Sequence, residues 1–511
     1  MQNNIRRILQ ILGIHIFLIL ALSNCFTETK DDSKETPVNN TSNNRKWTIM
    51  IYMDGDNDLE EFALEDLNEL EKVAFQDKNI EIIVLIDRSD NYTQADGDWS
   101  GTRLYQITHD SDFSKINSTR LADVNFLDLS DTGDDDELDM GDSDTLTNFV
   151  DFTKSKYPAQ NYALILWNHG DGWRNFTKQK NNKFNSSFIH KVICSDETDN
   201  SVLYMKDVKN ALKNKGLTII GFDACLMGMV EVAYELKDTA DYIIFSEELE
   251  PGAGWDYTGF LNNFISTDQT PTDFGKAIIN SFEQYYKEPV TLSLVDLSKI
   301  NLVVSALDTF INNITTKSFD TLFKARYKTL SFDIGNHIDL YDFANKFQVE
   351  GADELKSAIK SAVLYHNGQI SKTDDNNAYA NAHGLAIYFP YTDDSDMYYE
   401  SYTSSVIDFA GASSWKSFLT KYHSLSSSNY YYIKTFKNKG EVNNLENCEM
   451  STDTYLELYD KDLGLITAND DIDFYNGDYF SKIKTPLVAG TYYICVLDLY
   501  GCTGSYSIVA N

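Results

Sequence analysis

The sequence predicts an α/β fold, in which a largely parallel sheet is flanked by helices and is followed by a small all-β sandwich domain. From Trp47 onward, short apolar runs alternate with segments of helical spacing; the runs are "WTIMIYM", "IEIIVLI", "YALILW", "LTIIGF", "YIIFS", "VTLSLV" and "GLAIYFP". This rhythm continues to about Tyr422, where the Ser-rich stretch "HSLSSSN" interrupts it. The segments that follow, such as "TYLELYD" and "GSYSIVAN", alternate at period two, which is typical of antiparallel strands.

Charge excludes one large class of partners. The 511 residues carry a formal net charge of −35. A polyanion is repelled by such a surface, so we expect no direct binding of nucleic acid or of anionic membrane surfaces. Basic peptides would be attracted.

The N-terminus predicts export. Arg6 and Arg7 precede the apolar run 8–22 and the letters "ALSNC", so residues 1–25 read as a signal peptide. The segment resembles a bacterial lipoprotein signal, which implies that Cys25 is lipidated, although Asn24 departs from the small residue usual before that cysteine. Ordinary cleavage and an uncleaved anchor stay open. Residues 26–46 are polar and predict a disordered tether.

Cysteine usage does not indicate a disulfide-stapled fold. Six cysteines occur in 511 residues, which is too few for one despite the predicted export. A bridge between Cys495 and Cys502 is open, and Cys225 need not be paired.

Cys225 stands where a strand should end. In "LTIIGFDACLMGMVEVAYELKD", an apolar run reaches Asp223 and Cys225 and then changes to helical spacing. Reacting groups gather beyond the carboxyl ends of strands in open α/β sheets. The pattern also predicts that Cys225 lies at a helix N-terminus, which favours a thiolate. The alternative is an unreactive cysteine that fills core space.

A base for such a nucleophile is indicated by "YALILWNHGDGW". Here an apolar strand runs into His169 and Gly170, and adjacent parallel strands would bring His169 and Cys225 to one edge of the sheet. A histidine followed by a cysteine at this interval has the order found in caspase-like proteases. A lone histidine in this setting could instead be structural.

Two acidic stretches raise the question of a metal. "DGDNDLEEFALE" places Asp54, Asp56, Asp58 and Glu65 at EF-hand ligand positions, but Leu59 stands where that loop needs glycine. We therefore expect a strand end followed by acid-rich helix capping. The run "DLSDTGDDDELDMGDSDT" is interpreted as a solvated loop rather than a metal site.

Taken together, several ordered blocks resemble the clostripain family of cysteine peptidases, in the caspase-like clan. They include "WTIMIYMDGDNDLE", "LDMGDSDTLTNFV", "ALILWNHGDGW", "GFDACLMGMVEVAYEL", "SEELEPGAGWDY", "IDLYDFA" and "HGLAIYFP", and they assign residues 47–425 to a peptidase domain. The resemblance implies a caspase-like sheet, with Cys225 as nucleophile and His169 as general base and acid. It implies that the N–H groups of Gly170 and Cys225 form the oxyanion hole.

The resemblance also implies a substrate pocket. Asp223 would receive the Arg or Lys side chain on the acyl side of the cleaved bond. Glu247, Glu248 and Trp255, in "SEELEPGAGWDY", are expected to line the cleft, with loop packing as the alternative. No metal is expected for the chemistry or among these site residues, and a need for calcium is left open.

The C-terminal residues 426–511 resemble the bacterial pre-peptidase C-terminal domain. The matching parts are "DTYLELYDKDLGLITANDD" and "LVAGTYYICVLDLYGCTGSYSI". Such domains accompany secreted peptidases, and an accessory role is implied.

A polar segment between the histidine and cysteine strands predicts self-cleavage. "GWRNFTKQKNNKFNSSFIHKV" has little core-forming periodicity, as expected of an exposed loop. Its basic residues suit the expected pocket; they are Arg174, Lys178, Lys180, Lys183 and Lys191. In several members of the resembled family, internal cleavage falls in this interval. An ordinary uncut loop is the alternative.

Two functions remain from the sequence. The first is an exported, lipid-anchored cysteine endopeptidase that cleaves proteins or peptides after Arg or Lys and lies outside the cytoplasm. The second is a surface binding lipoprotein that uses an inactive peptidase scaffold. The joint presence of His169, Cys225 and Asp223 favours the enzyme, because a scaffold does not need all three.

Overall fold

A computed structural model gives the structure of the chain over most of its length. The described residues are 45–89, 92–97, 99–112, 114–121, 137–173, 193–286, 289–332, 336–367, 379, 381–390, 402, 407–426, 430–437, 454–460, 465–469, 482–486, 492–498 and 506–510. The predicted signal peptide, its Cys25 and nearly all of the predicted tether lie outside these residues. Among the described residues, no helix combines the length and the apolar content needed to cross a bilayer.

A nine-stranded sheet forms the centre of the molecule. In spatial order, its strands are β13 (Val363–His366), β10 (Ser293–Asp296), β9 (Ala240–Phe245), β8 (Leu217–Asp223), β5 (Asn161–Trp167), β1 (Trp47–Gly55), β2 (Ile80–Arg88), β3 (Gly101–Gln106) and β4 (Thr119–Arg120). The five strands from β9 to β2 are parallel, and the two strands at each edge pair antiparallel. The prediction of a largely parallel sheet is confirmed.

Both faces of this sheet are buried, which explains why its strands are nearly continuous apolar runs. Along β1, Ile49 and Ile51 belong to one core cluster, whereas Met50 and Tyr52 belong to the other. Successive side chains of a strand point to opposite faces, so the sheet divides the interior into two cores.

Helices cover the two faces. The first core is closed by α1 (Glu60–Glu71), α5 (Tyr257–Ile265) and α6 (Pro271–Tyr285). The second core is closed by α2 (Ser143–Lys156), α3 (Met205–Leu212), α4 (Val230–Leu236), α7 (Ile300–Ile314), α9 (Leu340–Asn345) and α10 (Ala352–Ala362). Three further helices also bury apolar residues in the second core; they are α8 (Phe319–Tyr327), α11 (Asp408–Ala412) and α12 (Trp415–Ser426). The α/β class with flanking helices is thus confirmed.

Smaller antiparallel sheets accompany the large one. β6 (Ile193–Asp196) pairs with β7 (Ser201–Leu203), and β12 (His337–Asp339) lies between β11 (Ser331–Phe332) and β14 (Ala386–Tyr388). After α12, two three-stranded antiparallel sheets are formed by β15 (Tyr430–Lys437), β16 (Thr454–Asp460), β17 (Leu465–Asn469), β18 (Lys482–Pro486), β19 (Tyr492–Asp498) and β20 (Tyr506–Ala510). The division into domains at 425 and 426 stays a prediction.

The acidic stretch after β1 matches its prediction in part, because Asp54 lies at the strand end and Glu60 and Glu61 lie in the first turn of α1. Helix α1 begins at Glu60, and its N-cap residue Leu59 makes no side-chain capping hydrogen bond. Asp54 and Asp56 are fully buried and lie at the end of β1 instead of over the helix N-terminus. Tertiary packing at the sheet edge thus outweighs local capping preference.

A buried ion pair fixes α1 to the end of β2. The Arg88 Nε atom lies 2.7 Å from Glu60 Oε1, and both side chains have 0% exposure. Arg88 also donates to the Thr93 carbonyl and lies over the Trp99 ring. Removing one partner would leave a buried charge without compensation.

We therefore predict that Arg88→Met lowers the free energy of unfolding by about 3–5 kcal/mol. The matched control is Arg45→Met, because Arg45 pairs with Glu81 at the rim, where its side chain is 24% exposed; we expect it to cost about 0–1 kcal/mol. Denaturant unfolding of both variants measures the difference. Equal losses would contradict a special role for the buried pair.

Candidate active site

The carboxyl ends of β5 and β8 bring the predicted dyad together. The strands are parallel neighbours, and Trp167 lies opposite Asp223. His169 and Cys225 each follow two residues later, so they leave the sheet at equivalent positions. Both line one pocket of about 120 Å³ at this edge.

The chain around Cys225 differs from the predicted helix start. Helix α4 begins at Val230, five residues after Cys225, so the thiol does not lie at a helix N-terminus. Leu226 has φ 63°, a left-handed conformation that is uncommon for a branched residue. Its N–H donates to the Glu248 carbonyl, and Gly228 donates to Ser246. These bonds to a neighbouring segment hold residues 226–229 in a turn that periodicity could not predict.

The Cys225 thiol is therefore not activated by a helix dipole. Burial raises its pKa, and the Glu250 N–H, which lies 3.2 Å from Sγ, partly opposes the rise. The thiol form of Cys225 is thus favoured in the free protein. A base is needed to remove the proton before the sulfur can act as a nucleophile.

His169 has a partner that sequence reasoning missed. Its Nε2 atom lies 2.7 Å from Asp58 Oδ1, in the turn between β1 and α1. The His169 side chain is 23% exposed, so it is accessible from solvent. Asp58 was visible only as part of an acidic stretch, and nothing local indicated that this turn would reach the end of β5.

Gly170 and Cys225 approach each other closely. A Cβ atom on Gly170 would lie 2.3 Å from the Cys225 carbonyl oxygen and 3.1 Å from its nitrogen. Only glycine fits this approach. Within the described residues, neither backbone N–H has a hydrogen-bond acceptor. Cys225 lines the pocket, whereas Gly170 lies against Cys225 and is not among the lining residues.

Asp223 forms the acidic part of the pocket. Its side chain is buried, and its Oδ2 accepts hydrogen bonds from the Tyr257 hydroxyl at 2.9 Å and the Trp255 N–H at 3.2 Å. Burial raises the pKa of Asp223, and the nearby Glu69 carboxylate adds to the rise. The carboxylate is positioned by its donors but is not neutralised by them.

Glu250 is the second acid of the pocket, and sequence reasoning missed it. Its Oε2 accepts from the Trp255 indole N–H at 3.1 Å, and burial followed by repulsion from Asp223 raises its pKa. In the described part of the chain, neither Glu250 nor Asp223 forms an ion pair. The loop "SEELEPGAGWDY" contains three glutamates, and the sequence alone does not indicate which of them lines the pocket.

The other predicted cleft residues lie around this pocket but do not line it. The lining residues are Leu59, Trp167, Asn168, His169, Asp223, Ala224, Cys225, Glu250, Pro251, Gly252 and Gly254. Trp255 is buried behind them and holds Glu250 and Asp223. Glu247 is turned away, because its Oε2 accepts from the Gly384 N–H at 2.9 Å. Glu248 accepts from the Leu249 N–H.

Two sets of predicted residues cannot be placed. Arg174, Lys178, Lys180, Lys183 and Lys191 lie outside the described residues, as does Cys25. Carboxylates that could hold a metal ion form two groups, neither of which lines this pocket; the groups are Asp56, Asp87, Glu137 and Asp196, and Asp139, Asp196 and Asp199.

The chain is similar to peptidases of known sequence and structure. The model of the clostripain family matches residues 51–422. Clostripain of Hathewaya histolytica is 28% identical over 464 residues, which cover 77% of this chain and 84% of clostripain. A secreted C11 cysteine protease of Bacteroides thetaiotaomicron, crystallised with an irreversible peptide inhibitor, has a TM-score of 0.54 at 22% identity and covers 72% of this chain and 99% of its own.

An inactive zymogen C11 protease of Parabacteroides distasonis has the same fold, with a TM-score of 0.52 at 19% identity, and covers 72% of this chain and 97% of its own. Cysteine proteases of this family need no cofactor for their chemistry. The family match extends over most of the chain and includes both strand ends that form the pocket. The chain therefore belongs to the clostripain family and is a cysteine endopeptidase.

Proposed function

We propose that this protein is an exported, lipid-anchored endopeptidase that cleaves after Arg or Lys through a Cys225–His169 dyad. The proposed specificity rests on one observation: two acids, Asp223 and Glu250, lie beside Cys225. Neither acid forms an ion pair with a basic residue among the described residues. Export and the lipid on Cys25 rest on the signal sequence, and one similar protease is described as secreted.

The acid pair favours a basic substrate side chain for electrostatic reasons. Two neighbouring buried carboxyl groups cannot both ionise at low cost. A guanidinium or ammonium group between them restores both charges and forms charge-assisted hydrogen bonds. A neutral side chain leaves the acids uncompensated, so the pocket discriminates against it.

The proposed reaction uses the groups around the pocket. His169 accepts the thiol proton while Sγ of Cys225 attacks the carbonyl carbon of the substrate. The N–H groups of Gly170 and Cys225 stabilise the oxyanion, a contribution of about 3–4 kcal/mol in comparable sites. His169 then protonates the departing amine, and water hydrolyses the thioester. Asp58 orients the imidazole by its 2.7 Å contact.

The first prediction concerns the dyad. Cys225→Ala and His169→Ala should each abolish cleavage of Arg and Lys substrates and leave the melting temperature nearly unchanged, because both residues lie at the rim. Cys194→Ala is the matched control, since Cys194 is a free cysteine that is fully buried away from the pocket. A fluorogenic assay measures turnover; wild-type turnover in Cys225→Ala would refute the mechanism.

The second prediction concerns the acid pair. Asp223→Asn should lower kcat/KM for Arg and Lys substrates, because the substrate cation loses its buried partner. The loss should correspond to about 2–5 kcal/mol of transition-state stabilisation. Glu250→Gln should act in the same direction. Uncharged substrates are the control, and a loss on them as large as that on basic substrates would make Asp223 a structural residue.

We further propose that the peptidase cuts itself between the histidine and cysteine strands. The segment that follows Trp173 supplies Arg174, Lys178, Lys180 and Lys183, which the acid pocket would accept. Because β5 and β8 lie on either side of this segment and pair in one sheet, the two fragments should stay associated.

The purified wild type should therefore convert to two associated fragments, whereas Cys225→Ala should stay intact. Mass spectrometry of the new termini locates the cut. A wild type that stays uncut yet fully active, or a Cys225→Ala protein that is cut without added protease, would contradict self-cleavage.

A further inference from the structure

A second pocket, outside the proteolytic site, is lined by basic residues. Its volume is about 220 Å³, and its lining residues are Tyr341, Ile359, Lys360, Val363, His366 and His383. We name it the basic pocket. Three of these lining residues are basic and none is an acid. This composition is opposite to the charge of the whole chain, which is −35.

The basic pocket lies at the same edge of the central sheet as the nucleophile. Strand β9 is parallel to β8, whereas β10 runs antiparallel to β9, and β13 runs antiparallel to β10. Phe245, at the carboxyl end of β9, lies opposite Ser293, which in turn lies opposite His366. His366 therefore leaves the sheet at the edge where Asp223 ends β8.

Strand spacing gives the distance between the two sites. Neighbouring strands are about 4.8 Å apart, so the three intervals from β8 to β13 amount to about 14 Å. An extended peptide advances about 3.3 Å per residue and covers this distance in about four residues. A substrate with its basic side chain beside Asp223 can therefore place a residue about four positions away at the basic pocket.

His383 is held in a fixed orientation. Its Nδ1 atom lies 2.6 Å from the Asn381 carbonyl oxygen and 3.2 Å from Asp339 Oδ1. Both partners are acceptors, so Nδ1 carries the proton, and Tyr341 stacks on the ring with centroids 4.1 Å apart. Burial lowers the pKa of His383, but the Asp339 carboxylate outweighs it, and the pKa lies above its ordinary value. The imidazolium form is thus favoured.

The other two basic residues of the pocket differ from each other. Burial, followed by repulsion from His383, lowers the pKa of His366, and its buried Nδ1 has no hydrogen-bond partner among the described residues. Lys360 lies on the exposed side of α10, with Nζ 5.0 Å from the centroid of the Tyr341 ring. Within the described residues, Lys360 forms no ion pair with an acid.

The basic pocket is joined to the segments that hold the nucleophile. The Gly384 N–H, next to His383, donates to Glu247 Oε2 at 2.9 Å. Two residues later, the Ala386 N–H donates to the Gly228 carbonyl at 2.8 Å. Gly228 belongs to the turn that follows the nucleophile. These bonds fix the spacing of the two sites, so that one substrate can contact both.

We infer that the basic pocket binds an acidic side chain of the peptide substrate, about four residues from the cleaved bond. A carboxylate forms charge-assisted hydrogen bonds with Lys and with protonated His. The same cations would repel a basic side chain or a metal ion. The inference rests on the proposed cleavage after Arg or Lys and narrows the substrate class to peptides that also carry an acid at this distance.

Internally quenched peptides test the inference. Each contains a single Arg and no Lys, and either Glu or Gln is placed at successive positions on both sides of the Arg. At a position about four residues from the cleaved bond, kcat/KM for Glu should exceed that for Gln about tenfold, as expected for a hydrogen bond between charged groups. Equal values at every position, in peptides that are cleaved after Arg, would overturn the inference alone. No cleavage after Arg would overturn the proposed function as well.

Two variants determine whether the basic pocket is the site. Lys360→Met, at an exposed position that folding does not require, should bring the ratio of the Glu and Gln values close to one. His383→Gln should lower the ratio too, because a neutral amide replaces the imidazole. Lys356→Met is the matched control and should keep the ratio, since Lys356 lies one turn earlier on α10, pairs with Asp353 and does not line the pocket. An unchanged ratio in both pocket variants would refute the site.

Discussion

The parallel register between β5 and β8 is the constraint on which the site depends. Because Trp167 lies opposite Asp223, the residues two positions later meet at the edge of the sheet. A slip of one residue would turn every side chain of a strand to the other face. Asn168 secures the arrangement, since its N–H donates to Asp223, its amide donates to Asp54, and its side-chain oxygen accepts from Ser195.

The same sheet edge concentrates buried negative charge. Asp223 and Glu250 lie beside the thiol, and Asp56, Asp87 and Asp196 lie close together near the ends of β1, β2 and β6. Beside the thiol, the fold orients both acids with hydrogen bonds, and neither acid forms an ion pair within the described residues. The proposed specificity has this physical basis: the acid pair beside the thiol is completed by a cation from outside the chain, the basic side chain of the substrate.

The reactivity of the Cys225 thiol depends on neighbouring residues rather than on a helix dipole. Burial raises the pKa of Cys225, and its turn is held by contacts with residues 246–250. The loop of residues 246–250 therefore has two structural roles in the site. It fixes the backbone after the nucleophile, and it brings Glu250 into the pocket. Leu226 adopts a left-handed backbone conformation, and this local strain accompanies the packing.

The sequence alone determined the α/β class, the strand ends that carry His169 and Cys225, and the acid two residues before the thiol, because apolar periodicity and strand termination are local properties. Only the tertiary structure decided which distant residues meet these groups. Asp58 reaches His169, Glu250 replaces Glu247 at the pocket, and Asp196 joins Asp56 and Asp87. The helix expected at Cys225 begins at Val230 for the same reason, since hydrogen bonds to a neighbouring segment override local spacing.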